Sequence, residues 1–144
     1  MLNIITIPVK GKIKKIKEKK KIEMLEEIKG DKMEVKINVN DANFETKVIE
    51  QSKNVPVVVD FWATWCMPCV MLGPTLDGLV KEFGEKFVLA KLNVDENLVT
   101  STKFGIQSIP AVKMYKGGKV IDEFVGALPE STVREWLSKN GLNK

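Results

Sequence analysis

Two cysteines, the only two in 144 residues, stand three positions apart at Cys66 and Cys69 in the run WCMPC, residues 65–69. Before them, Val57 Val58 Val59 Asp60 Phe61 Trp62 is an apolar run around a single acid and reads as a buried strand. After them, Val70 Met71 Leu72 opens a helical pattern. A strand feeding straight into a helix sets both sulfurs at a helix N-terminus, where unpaired backbone N–H groups and the positive end of the helix dipole favour negative charge. A thiol moved there from a pKa of about 8.5 to about 7 goes from roughly 3% to about half thiolate at neutral pH. The i, i+3 spacing brings the second sulfur to the same face, within reach of a disulfide.

The rest of the body reads as support for that junction. Met33, Val35, Ile37 and Val39 alternate with polar residues, the period of a half-buried strand. Asn40 or Asp41 is placed to cap a helix whose Phe44, Val48 and Ile49 face inward, ended by Asn54 and Pro56. The helix after the cysteines runs to about Gly84, with Pro74 expected to kink it near Leu72. Residues 87–94 read as a strand and 97–104 as a short helix. Residues 111–115 and 120–125 flank Lys116 Gly117 Gly118 Lys119, a hairpin signal. The last helix starts near Pro129, buries Val133, Trp136 and Leu137, and stops at Asn140 Gly141. The order βαβαβαββα predicts an α/β protein with a mixed central β-sheet and helices on both faces, because helix-linked strands run parallel and a tight hairpin cannot.

Composition matters where it excludes chemistry or marks a boundary. With no histidine and two cysteines, a Cys/His zinc site within one chain and any imidazole base are out of reach. No apolar run approaches the roughly 18 residues of a membrane span, and the first residues lack the features of a secretory signal, so the expected location is cytoplasmic. Residues 1–32 hold ten lysines against five acids, and residues 33–144 hold thirteen basic against fourteen acidic side chains. The basic character therefore belongs to a leader, residues 1–32, and the body is residues 33–144. In the leader Ile13, Ile16, Ile22, Leu25 and Ile28 form a narrow stripe broken by Lys19 Lys20 Lys21. The plainer reading is a partly helical or disordered solvated segment. Attachment to nucleic acid, a ribosome or an anionic membrane surface is the other, and Met24 and Met33 also allow a later translation start. A mitochondrial transit peptide is disfavoured by the acids and by the lack of arginine and serine.

The runs VVVDFWATWCMPC, FVLAKLNVDEN, FGIQSIPA and FVGALP, in that order and spacing, resemble the thioredoxin family over residues 33–144. CxxC alone is shared by zinc ribbons and chaperones; the four segments together are specific. The resemblance implies a thioredoxin fold and a role for each matching residue. Cys66 is implied as the exposed nucleophile, Cys69 as the buried resolving thiol. Pro68, in the first helical turn, stiffens the ring between the sulfurs. Met67 departs from the usual glycine and Val70 from a frequent cation, so the acidity of Cys66 rests more on the helix end. Asp60, desolvated in a central strand, is implied as the proton acceptor for Cys69, and Lys91 as its partner; a structural aspartate and a surface lysine are the plain alternatives. Trp62 and Trp65 flank the site, where ordinary core and rim packing would also hold them. Ile109 and Pro110, with a cis peptide bond implied between them, would meet an extended substrate segment, with Gly105 and Gly126 at close backbone approaches or ordinary turns. Ala111 replaces a common threonine.

These residues predict a protein-disulfide reductase of the thioredoxin type, a monomer without cofactor or metal, that exchanges a dithiol for a disulfide at Cys66 and Cys69 and is recharged by thioredoxin reductase or an equivalent donor. A disulfide isomerase or oxidant on the same fold, separable by redox potential, is an alternative. A non-enzymatic binding module working through the basic leader is another; retention of both cysteines with Asp60 and Pro110 weighs against it.

Overall fold

The computed structural model describes residues 33–144; the leader and every expectation placed on it lie outside the described residues. Residues Glu34–Lys144 form one compact unit. The strands are β1 (Lys36–Asn38), β2 (Val57–Trp62), β3 (Val88–Asn93), β4 (Ala111–Lys116) and β5 (Lys119–Val125). The α-helices are α1 (Met67–Phe83), α2 (Leu98–Lys103) and α3 (Glu130–Lys139). The sheet order is β1-β3-β2-β4-β5, with β1 and β2 parallel to β3 and the pairs β2/β4 and β4/β5 antiparallel. This is the mixed sheet expected from the element order.

β2 lies between β3 and β4 and is buried on both sides, which is why it needs an almost unbroken apolar sequence. On one face Val58, Leu89, Val112 and Met114 pack beneath α1 and α3 through Leu72, Leu76, Val133 and Leu137. On the other, Phe44, Phe61, Phe104 and Tyr115 stack with ring centroids 5.3–6.5 Å apart, bringing the segment after β1 and the end of α2 onto the sheet. Truncating a fully buried leucine such as Leu76 would cost about 2–5 kcal/mol.

Several local details differ from expectation. The first strand covers three residues rather than seven, because β1 is an edge with one neighbour; backbone bonds from Leu89 N–H to Val35 and from Val39 N–H to Lys91 carry the alternation beyond it. The expected helix after it is a π-helical turn, Glu45–Glu50, followed by a 3-10 turn, Gln51–Lys53. In the turn ahead of it is a reciprocal pair in which Asn43 N–H donates to Asn40 Oδ1 at 2.9 Å and Asn40 N–H to Asn43 Oδ1 at 2.8 Å, while its N-cap, Phe44, has no side-chain capping bond. Asp41 caps another element instead. Its carboxylate accepts from the backbone N–H groups of Val99 and Thr100 and from the Thr100 hydroxyl, at 3.3, 2.9 and 2.6 Å, fastening α2 from outside. The last helix starts beside Pro129 as expected, with Pro129 as its N-cap. At the hairpin, Gly117 and Gly118 both have positive φ, 64° and 88°, as a tight turn between right-twisted strands requires. Helix α1 stays a single α-helix across Pro74.

Candidate active site

β2 ends at Trp62, and two backbone bonds carry the chain from strand to helix: Cys66 N–H donates to Ala63 C=O at 3.2 Å, and Val70 N–H to Cys66 C=O at 3.1 Å. Cys66 is the N-cap of α1 in extended conformation, and Met67 and Pro68 follow in the first turn, where a proline removes no helical bond. Cys66 and Cys69 form a disulfide with Cα atoms 5.2 Å apart. Cys69 N–H points at Cys66 Sγ at 3.3 Å, so the sulfur of Cys66 occupies the capping place that a serine or aspartate oxygen commonly fills. A thiolate at Cys66 meets that N–H and the helix dipole; one at Cys69 does not.

In this oxidised form both cysteines are equally covered, at 4% exposure each. The expected contrast between an exposed and a buried sulfur is therefore not one of area. It is a contrast of surroundings, with Cys66 ringed by the exposed Trp65, Met67 and Val70, and Cys69 on the inner side of α1. Opposite the disulfide, the carbonyl oxygen of Ile109 lies 3.7 Å from Cys66 Sγ, and the Ile109–Pro110 bond is cis. Gly126 N–H donates to Pro110 C=O at 2.9 Å with φ 101°, a backbone region that disfavours side chains, and so ties the loop to the end of β5. Gly105, φ 64°, ends the turn after α2, where its N–H donates to Thr102 C=O at 3.1 Å. Ala63, Cys66 and Cys69 pack together with Trp62, Val94 and Ile109 against them.

Trp65 is 69% exposed but fixed, its indole N–H donating to Asp95 at 2.7 Å. Asp95 was not legible as a site residue; its only sequence signal is its place in NVDEN. Between Trp65, Val94, Leu98, Ile106 and Ile109 runs a groove of about 270 Å³ beside the disulfide.

Asp60 lies beneath the site, 1% exposed, and burial lifts its carboxyl to about 6 against the opposing pull of the Lys91 ammonium. Register sets the two side by side, Asp60 opposite Lys91, with Lys91 Nζ 3.5 Å from Asp60 Oδ2. That is an ion-pair distance, longer than a charge-assisted hydrogen bond. Asp77 of α1, not anticipated from sequence, also approaches Lys91, at 3.8 Å.

A sulfur pair that opens and closes across the first turn of a helix, above a buried acid on a mixed sheet, defines a thiol–disulfide oxidoreductase of the thioredoxin fold. The comparisons with known proteins agree. A family model described as Thioredoxin matches residues 35–139. The chain is similar to a thioredoxin of Chlorobaculum thiosulfatiphilum, 45% identical over 100 residues that cover 69% of this chain and 91% of the relative. It is similar to one of Haemophilus influenzae, 40% identical over 104 residues covering 72% and 95%. It is also similar to a chloroplastic M-type thioredoxin of Pisum sativum, 46% identical over 101 residues covering 70% and 58%. The chain belongs to the thioredoxin family, and its redox equivalents are carried by the cysteine pair itself. Among the described residues no helix is long and apolar enough to cross a membrane.

Proposed function

We propose that the protein works as a cytoplasmic, monomeric reductase of protein disulfides, with Cys66 as nucleophile and Cys69 as resolving thiol. The observation that carries the assignment is the hydrogen bond from Cys69 N–H to Cys66 Sγ, which stabilises negative charge on one of the two sulfurs. In the dithiol form the Cys66 thiolate attacks a substrate sulfur, one substrate thiolate leaves, and a mixed disulfide forms. Asp60 takes the proton of Cys69; the new thiolate attacks Cys66 Sγ, the second substrate thiolate leaves and is protonated, and the Cys66–Cys69 disulfide closes. Two electrons have then passed to the substrate; one proton comes from Cys69 by way of Asp60 and the other, given up by Cys66 when it ionised, is returned by solvent to the first substrate thiolate, and thioredoxin reductase or an equivalent donor returns the pair to the dithiol. No cofactor takes part. Lys91 moderates the charge on Asp60. Trp65, Met67, Pro68, Ile109, Pro110 and Gly126 form the surface a substrate segment meets, with the Ile109 carbonyl as a backbone acceptor beside the sulfur. Disulfide exchange is assigned to the body, residues 33–144, and needs no side chain of the basic leader, residues 1–32.

The test is reduction of insulin disulfides, first with dithiothreitol and then with candidate reductases and NADPH supplied in turn. Turnover in both is expected. No acceleration over dithiothreitol alone would overturn the reading. A reductant is favoured by Met67, which brings no charge next to the thiolate, where oxidising relatives often carry a histidine.

A further inference from the structure

Asp60 does not have Lys91 to itself. The ammonium of Lys91 lies between two carboxylates, 3.5 Å from Asp60 Oδ2 and 3.8 Å from Asp77 Oδ1. Its nitrogen rests against the backbone of α1 at Gly73, where a Cβ would stand 3.4 Å from it. Asp77 Oδ1 is buried and has no hydrogen-bond partner among the described residues, and Lys91 is the cation on that side of the carboxylate. The other oxygen, Oδ2, is held by Lys36 Nζ at 2.9 Å. Lys36 reaches it because β1 runs parallel to β3 with Lys36 opposite Leu89, which puts Lys36, Leu89 and Lys91 on the face covered by α1. Two acids and two lysines thus alternate from the core to the surface.

We propose that Lys36 is a positioning residue which, by holding Asp77, keeps that second carboxylate from drawing Lys91 away from Asp60. The consequence for catalysis rests on the reading of Asp60 as proton acceptor. Among the described residues, few charged or titratable groups face Asp60. β3 supplies Lys91 and α1 supplies Asp77 and the cysteine pair, which does not titrate when oxidised. β4 supplies Val112, its apolar register partner. Whatever changes the hold of Asp77 on Lys91 must therefore appear in the proton affinity of Asp60.

The experiment follows the carboxyl carbon of Asp60 by NMR through a pH titration of the oxidised full-length protein, its signal identified by its loss in Asp60→Asn. Asp77→Asn removes a competitor and a negative charge, and is expected to lower the Asp60 midpoint by about half a unit to one unit. Lys36→Gln frees Asp77 and is expected to raise it by about half a unit, less at high salt because Lys36 and Asp77 are 50% and 36% exposed. In the double variant the midpoint should equal that of Asp77→Asn, since Lys36 acts only through Asp77. An unshifted or lowered midpoint in Lys36→Gln overturns the proposal, as does a further rise when Lys36→Gln is added to Asp77→Asn. The pH profile of mixed-disulfide resolution, measured in the same variants, is expected to move with the carbon midpoint. If the carbon moves and the profile does not, the positioning role of Lys36 stands and the proton-acceptor role of Asp60 fails.

Discussion

At the scale of single residues, the two sulfurs differ in what they face more than in how far they are covered, and that difference can be read chemically. Cys69→Ser is expected to accumulate mixed disulfides through Cys66, seen on non-reducing gels, whereas Cys66→Ser should accumulate few. Equal trapping would remove the assignment, because Cys69 N–H serves Cys66 alone. Asp60 gives a prediction with a sign. Its carboxyl holds a proton to about 6 in the folded protein against 3.8 for the ordinary group. Between those values the folded state binds more protons than the unfolded one, so stability from this group is greatest below about pH 4 and is lost as pH rises through 6. Two units correspond to a cost on the order of 3 kcal/mol at neutral pH, reduced in practice by relaxation around Lys91. Asp60→Asn should therefore raise the unfolding free energy by about 1–3 kcal/mol at pH 7.5 and by little at pH 4, in denaturant titrations at both values. The same variant should slow resolution near neutral pH. Wild-type resolution rates in Asp60→Asn would return the residue to a structural role.

At the scale of elements, α2 is held at its N-terminus by contacts from outside itself. α2 has six residues, too few for a helix to persist alone, and Asp41 supplies its missing N-terminal acceptors. Asn97 completes the latch by accepting from Asp41 N–H at 2.9 Å and donating to Asn93 C=O at 2.9 Å. Asn93 in turn accepts from Asp95 N–H, and Asp95 holds Trp65. Loss of the Asp41 carboxylate should loosen α2 and Trp65 together. Asp41→Ala is expected to lower the melting temperature by a few degrees and to increase mobility of the Trp65 indole, with partial rescue by Asp41→Asn, read by calorimetry and fluorescence anisotropy. The hydrogen bonds from Thr100, first among them its hydroxyl, hold the Asp41 carboxyl below its ordinary range. The stabilisation is thus present at neutral pH and disappears in strong acid, where wild type and Asp41→Ala should converge.

At the scale of the whole molecule, residues 33–144 carry a core on both faces of the sheet and the cysteine pair at the start of α1. Deleting residues 1–32 is expected to leave insulin reduction and melting temperature almost unchanged. If the ten lysines of the leader bind an anionic surface, retention of the full-length protein on an anionic matrix should fall steeply with salt, and the truncated protein should not be retained. A large loss of activity on truncation would place the leader at the site and move the boundary at Met33.

Legible in the sequence were the order of the elements along the chain, the mixed character of the sheet, the burial of β2 and the placing of both cysteines at the start of α1. These depend on periodicity and on neighbours within a few positions, which a chain displays directly. It also carried the thioredoxin resemblance, because WCMPC, NVDEN and SIPA lie in a fixed order. Tertiary structure alone decided the rest. That Asp41 serves α2 and not its own helix, that Asp95 holds Trp65, and that Asp77 and Lys36 extend the pair of Asp60 and Lys91 all join residues 14 or more positions apart. A carboxylate in a sequence shows that it needs a partner. Which partner it finds is set by strand register and by where a helix crosses the sheet, and those are settled only when the whole core closes.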